Sequence, residues 1–226
     1  MNALAVRHPG ARRSGTRRQT DQVSAEHYFS TDPATPARRG EIEFNVAGRD
    51  YRLTVASGVF SAGRLDPGTA VLLRKADLPD AGATGVFLDI GCGYGPITCV
   101  LASEAPAAEV WAVDVNGRAR ELTAENAAGL GLGDRVRVAA PDEVPDDLVV
   151  DQIWSNPPTH VGKGELHAVM ERWLPRLAPD GVAWLVINRN LGGDSLHAWL
   201  VERDWVVERV ASQRGFRVLK VRRKTG

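Results

Sequence analysis

Three alternate glycines, Gly91, Gly93 and Gly95, end an apolar run that reads Val86-Phe87-Leu88-Asp89-Ile90, and Pro96 starts a helical pattern directly behind them. Glycine lets the backbone turn sharply and approach a ligand without interference from a Cβ. Proline suits the first helical turn, where its missing N–H costs nothing. The spacing is Gly-x-Gly-x-Gly, unlike the Gly-x-Gly-x-x-Gly of pyrophosphate binders, which disfavours a dinucleotide-dependent oxidoreductase. The next apolar run ends Trp111-Ala112-Val113-Asp114, and a carboxylate at the end of a second strand can accept hydrogen bonds from both hydroxyls of a ribose. A third ends near Pro141-Asp142, where the side chain of Asp142, or of Glu143 beside it, can meet an adenine edge. Together these residues suit a nucleoside cofactor.

A fourth run, Asp151-Gln152-Ile153-Trp154-Ser155, stops at Asn156-Pro157-Pro158. Consecutive prolines stiffen the chain and push the preceding residue out of helical geometry. The asparagine oxygen and a nearby backbone carbonyl can then both face a substrate. Two acceptors on the hydrogens of an exocyclic amine favour a more tetrahedral nitrogen, whose lone pair points at an electrophile. Such chemistry needs aligned acceptors and an in-line approach rather than a strong base. Ser155 has no His/Asp arrangement to make it a nucleophile.

Strands and helices must alternate to hold these loops. Strands are predicted at 86–90, 109–114, 135–140, 150–155, 181–188, 206–212 and 215–222, and helices at 95–104, 117–130, 164–178 and 194–203. Uninterrupted apolar runs such as Val182–Ile187 suit a parallel sheet covered on both faces. The last two strands are joined only by Gln213-Arg214-Gly215, so they must form an antiparallel hairpin at the sheet edge. Upstream, Ile42, Phe44 and Val46 alternate, Ala47–Asp50 turns, and Tyr51, Leu53 and Val55 resume, which reads as a β-hairpin. Asp66-Pro67-Gly68-Thr69 then leads into a short helix over 69–75. Residues 1–22 are rich in Arg, Ser and Gly without apolar period and read as a disordered basic tail. Their composition is also that of a mitochondrial transit peptide, but no arginine-studded amphipathic face emerges. The expected division is this tail, an extension over 23–80 and a main domain over 81–226.

This order of motifs resembles the S-adenosylmethionine-dependent methyltransferases of the seven-stranded type. The resemblance implies an α/β fold with a Rossmann-like class I sheet, a terminal antiparallel hairpin and, in this chain, the N-terminal β-hairpin extension. It implies that Asp89 and the Gly91, Gly93 and Gly95 loop hold the methionine portion of S-adenosylmethionine, Asp114 the ribose and Asp142 the adenine. Asn156, Pro157 and Pro158 resemble the motif of enzymes that methylate amide or base nitrogens. Many of those carry an aromatic residue next, to stack on the planar target, where this chain has Thr159; Tyr28, Phe60 and His160 are candidates for that task.

A narrower resemblance, to the methyltransferase-small family and its ribosomal RNA guanine-N2 methyltransferases, rests on a set of motifs. They are Glu26-His27-Tyr28-Phe29-Ser30, Gly58-Val59-Phe60-Ser61, Leu65-Asp66-Pro67-Gly68-Thr69, Asp89 to Pro96, and Asn156 to Lys163. It implies methyl transfer to guanine N2, with ribosomal RNA or a ribosomal assembly particle as partner and His160 and Lys163 contacting substrate. Two-domain members carry an additional amino-terminal methyltransferase-like domain without counterpart in this sequence. Rival expectations are the same chemistry on a protein glutamine amide or small molecule, and a non-catalytic RNA-binding or assembly module.

Composition narrows the classes further. The 226 residues carry formal net charge +0, but residues 1–40 hold seven arginines against three acids, and residues 209–226 hold seven basic residues and no acid. The remaining middle is acidic, so both ends suit a polyanionic partner. No apolar run approaches the ~20 residues of a membrane helix, and no signal peptide is visible. Two cysteines, Cys92 and Cys99, and five scattered histidines make neither a disulfide scaffold nor a metal site. A reducing, cytoplasmic setting is expected.

Overall fold

The computed structural model describes residues 38–59, 63–157 and 162–224. Outside them lie the basic tail, the Glu26–Ser30 motif with Tyr28, Phe60 and Ser61, and Pro158, Thr159, His160 and Val161.

Strands β1 (Arg39–Val46) and β2 (Arg49–Ala56) pair antiparallel in full register, and Ala47 and Gly48, both at positive φ, make the two-residue turn. Positive φ at both positions matches the right-handed twist of the flanking strands, so the turn is two residues shorter than expected. Helix α1 (Pro67–Lys75) follows, with Asp66 as N-cap and Pro67 in the first turn. Then come β3 (Thr84–Ile90), α2 (Pro96–Glu104), β4 (Ala107–Val113), α3 (Gly117–Gly129), β5 (Val136–Ala139), β6 (Val150–Ser155), α4 (Gly162–Trp173), β7 (Leu177–Asn188), α5 (Gly193–Val201), β8 (Trp205–Gln213) and β9 (Phe216–Arg223).

The main sheet has seven strands in the order β5-β4-β3-β6-β7-β9-β8. β3 to β7 pair in parallel, whereas β9 runs antiparallel to both β7 and β8. The predicted terminal hairpin is therefore present, with β8 at the edge. Alternation along each strand splits the core between the two faces. Phe87, Trp154, Trp184 and Val218 pack with α1, α2, α3 and the β1–β2 hairpin. Leu88, Ile153, Leu185 and Leu219 pack with α4 and α5. Trp154 and Trp184, side by side on paired strands, have ring centroids 5.8 Å apart. The hairpin shares this core: Tyr51, Leu53 and Val55 are all buried against it.

One helix stops short. The predicted span 164–178 ends at Trp173, followed by a 3-10 turn over Leu174–Arg176, and β7 begins at Leu177. Pro175 inside that turn has no N–H to continue the α-helical ladder.

Among the described residues, no helix is long and apolar enough to cross a membrane, and no group of three His, Cys, Asp or Glu could hold a metal ion. The basic C-terminal stretch is largely engaged within the fold. Arg209 and Arg217 meet Asp194, Lys220 meets Asp77, Lys224 meets Asp204, and Arg223 donates to the carbonyls of Pro175 and Leu177. Five of its seven basic residues are thus paired within the fold, and Arg209, Arg214, Arg222 and Lys224 keep exposed side chains.

Candidate active site

The glycine loop is stitched to the end of β4. Gly91 and Cys92 both donate their backbone N–H to the carbonyl of Val113, at 2.7 and 3.1 Å. Gly91, Gly93 and Gly95 all have positive φ, between 60 and 87°. Gly95 caps α2, and a Cβ there would come within 3.0 Å of Thr123 on α3, so the loop packs closely against that helix.

Asp114 closes the same corner. Its Oδ2 accepts from the Gly93 N–H and its Oδ1 from the Asn116 N–H, each at 2.9 Å. Burial raises its pKa, and the two backbone donors oppose the shift. Asn116 caps α3 by accepting from Ala119, and its amide nitrogen donates to the Gly58 carbonyl beyond the hairpin. Asn126, one helical face along α3, donates to the carbonyls of Tyr94 and Thr54 and accepts from the Thr54 N–H. These asparagines fasten the extension to the glycine loop.

Asp89 is fully buried and serves α2: its Oδ2 accepts from both the N–H and the hydroxyl of Thr98, at 3.0 and 2.6 Å. Its Oδ1 has no partner. Burial pushes the carboxyl up to about 7, against the two Thr98 hydrogen bonds and with help from the nearby charge of Asp114.

Asn156 extends from the end of β6. Its amide nitrogen donates to Asp66 Oδ1 at 2.6 Å and to Thr69 Oγ1 at 2.9 Å. Ser155 is inert, its hydroxyl donated to the Ile90 carbonyl.

These loops surround one cavity of about 430 Å³, within the size range of small-molecule sites. Gly91, Gly93, Asp114 and Asn116 line one part, and Asp66, Thr69, Asn156 and Pro157 another. Val59, Tyr94, Pro141 and Trp173 complete the walls. Of the predicted residues, the glycine loop's Gly91 and Gly93, Asp114, Asn156 and Pro157 come together here. Gly95 and Asp89 sit behind the wall and hold it. Asp142 is exposed on a 3-10 turn, and Pro141 lines the cavity in its place. Glu143 of that turn accepts from the Ala140 N–H and so is a cap. Lys163 is exposed in the first turn of α4 and does not line the cavity. Pro158 and His160 lie outside the described residues.

Asp66, Thr69, Asn116 and Trp173 were missed as site residues. Asp66-Pro-Gly-Thr carried a signal, since it spells an N-cap with its N3 partner, but nothing local says what else the carboxylate holds. Trp173 reads as core and is core, 2% exposed, with one side left to the cavity.

S-adenosylmethionine, which the resemblance implies, fits these walls. A Cβ at Gly91 or Gly93 would meet nothing within 4 Å, so the loop leaves open space for a ligand to approach its backbone. Tyr94 places a buried hydroxyl without a partner in the cavity wall. Asp114 lines the cavity and would offer its carboxylate to ribose hydroxyls, and the apolar faces of Pro141 and Trp173 would suit a planar base.

The model of the methyltransferase small domain matches residues 50–220. YbxB of Bacillus subtilis (strain 168) is 33% identical over 88% of this chain and 99% of its own length. Ribosomal RNA small subunit methyltransferase C of Pseudomonas aeruginosa (strain UCBPP-PA14) is 32% identical over 99% of this chain and 74% of its own. Among solved structures, the T. thermophilus 16S rRNA N2 G1207 methyltransferase (RsmC), in complex with AdoMet and guanosine, superposes with a TM-score of 0.74 at 26% identity. That match covers 85% of this chain but 52% of the other, so the chain spans about half the length of that enzyme. With its motifs, its sheet order and its relatives in agreement, the chain belongs to the methyltransferase small domain family of S-adenosylmethionine-dependent methyltransferases.

Proposed function

We propose that this protein methylates the exocyclic N2 amine of guanine in ribosomal RNA, free or in an assembling particle, with Asn156 as the residue that grips the amine. The supporting observation is the state of the Asn156 carboxamide: its nitrogen is held by Asp66 and Thr69, and its oxygen accepts from none of the described residues. An acceptor fixed in the wall of a nucleoside-sized cavity suits an amine donor.

When bound, S-adenosylmethionine supplies an electrophilic methyl group. Asn156 Oδ1 accepts one N–H of the amine and opposes delocalisation of its lone pair into the ring; Pro157, from the same rigid loop, offers the neighbouring backbone carbonyl. The amine nitrogen would gain a bond to the methyl carbon as the bond from that carbon to the sulfonium sulfur breaks, and would then lose a proton to water, readily because the alkylated nitrogen is far more acidic. No general base is required, and the Asp66 carboxylate beside Asn156 already accepts from two N–H groups, the Thr69 backbone and the Asn156 amide. The basic residues left exposed would hold phosphates without reading sequence.

The test is transfer of labelled methyl groups to small-subunit ribosomal RNA that lacks its guanine-N2 modification, followed by mapping of the labelled nucleotide. Label at guanine N2 supports the reading. Label only in protein or in small molecules overturns it.

A further inference from the structure

We propose that Asp66 and Thr69 are positioning residues that lock the Asn156 carboxamide with its oxygen free to accept from substrate. The proposal rests on the reading of Asn156 given above and adds to it a pair of residues about 90 positions upstream.

A carboxamide has two faces of opposite polarity, an oxygen that accepts and an NH₂ that donates twice. Which end meets the substrate is decided by its neighbours. Asp66 Oδ1 lies 2.6 Å from the amide, and an ionised carboxylate can only accept, so the end facing it is the nitrogen. Thr69 Oγ1, at 2.9 Å, takes the second N–H. Both donors are thereby used, and the reversed orientation would set a carbonyl oxygen against a carboxylate.

The clamp is built into a helix start. The same Asp66 Oδ1 accepts from the Thr69 N–H at 2.9 Å as the N-cap of α1. Cap, hydroxyl and carboxamide therefore form one unit, and α1 is anchored by Val71, Leu72 and Leu73, each at most 2% exposed. Between the two clamping residues stands Gly68. A Cβ there would lie 2.9 Å from the ring of Phe216, 3.0 Å from Asp66 Oδ1 and 3.2 Å from Asn156 Oδ1. A side chain would push into the clamp and crowd the oxygen it frees.

The experiment compares the full-length protein with Thr69→Val, Asp66→Ser, Thr69→Ser and Asn156→Ala. Thr69→Val removes the hydroxyl at nearly constant shape, and Asp66→Ser keeps a competent N-cap while withdrawing the carboxylate. Rates use labelled S-adenosylmethionine and unmodified small-subunit ribosomal RNA; S-adenosylhomocysteine affinity is measured by calorimetry. Loss of alignment predicts that kcat falls about 10- to 100-fold in Thr69→Val and Asp66→Ser. Cofactor affinity stays within about twofold, and Thr69→Ser, which keeps the hydroxyl, recovers most of the rate. Side-chain amide resonances of Asn156 should move in both slow variants. An inactive Asn156→Ala beside fully active Thr69→Val and Asp66→Ser overturns the clamp alone. An active Asn156→Ala overturns the reading of Asn156 itself.

Discussion

Gly93 donates its backbone N–H to Asp114 Oδ2 at 2.9 Å, so the carboxylate expected to meet a ribose also holds the glycine loop in shape. Cofactor affinity and loop order share one side chain. Asp114→Ala should weaken S-adenosylmethionine binding by roughly 1.5–3 kcal/mol, the scale of hydrogen bonds to a charged group. Calorimetry with S-adenosylhomocysteine measures it, and exchange of the Gly93 amide should quicken in the same variant.

Asp89 makes stability depend on pH. Its carboxyl is raised from 3.8 to about 7 by burial, so the folded state holds a proton that the unfolded chain gives up earlier. The resulting stabilisation is fully present below about pH 3.8 and is lost as pH rises through about 7. Asp89→Asn mimics the protonated form and should remove a stability difference on the order of a few kcal/mol between pH 4 and 8. Urea denaturation of both proteins across that range is the check.

Asn126 joins the hairpin to the loop through three hydrogen bonds while only 5% exposed. Asn126→Ala strands the Thr54 and Tyr94 groups and should cost about 2–4 kcal/mol of stability. Hydrogen exchange should show the loss concentrated in β2 and the Gly91–Gly95 loop.

Trp173 fills the cavity wall on α4 with Arg172 and Arg176 against its ring, at 5.1 and 4.9 Å from the centroid. Trp173→Ala should lower stability by about 3–5 kcal/mol. Trp173→Phe, which retains a planar wall, should keep most cofactor affinity; titration of the two variants separates packing from binding.

The strand ends were legible in the chain because their signals are local. Gly91–Gly95, Asp114 and Asn156 each sit where an apolar run stops, and the terminal hairpin follows from the short link between its two strands. Contacts made across the fold were not. Asp66 stands just ahead of the helix expected over 69–75, and only the packing of α1 against the main sheet brings it to Asn156, 90 residues away. Asp142 was expected at the adenine, but the 3-10 turn that begins at Pro141 carries it to the surface. Asp89 was expected to touch cofactor; its strand position points it to Thr98 behind the loop. The basic C-terminal residues looked uncommitted because their acidic partners, Asp77 and Asp194 among them, come from other elements.

The most direct measurement is a single-turnover assay of Asn156→Ala against the unaltered protein, with labelled S-adenosylmethionine and unmodified small-subunit ribosomal RNA. Methyl transfer to guanine N2 should slow by about 100-fold or more, the scale for losing an aligned electrostatic contact, with cofactor affinity changed less than about twofold. Transfer at the unaltered rate would contradict the assignment of Asn156 as the group that grips the amine.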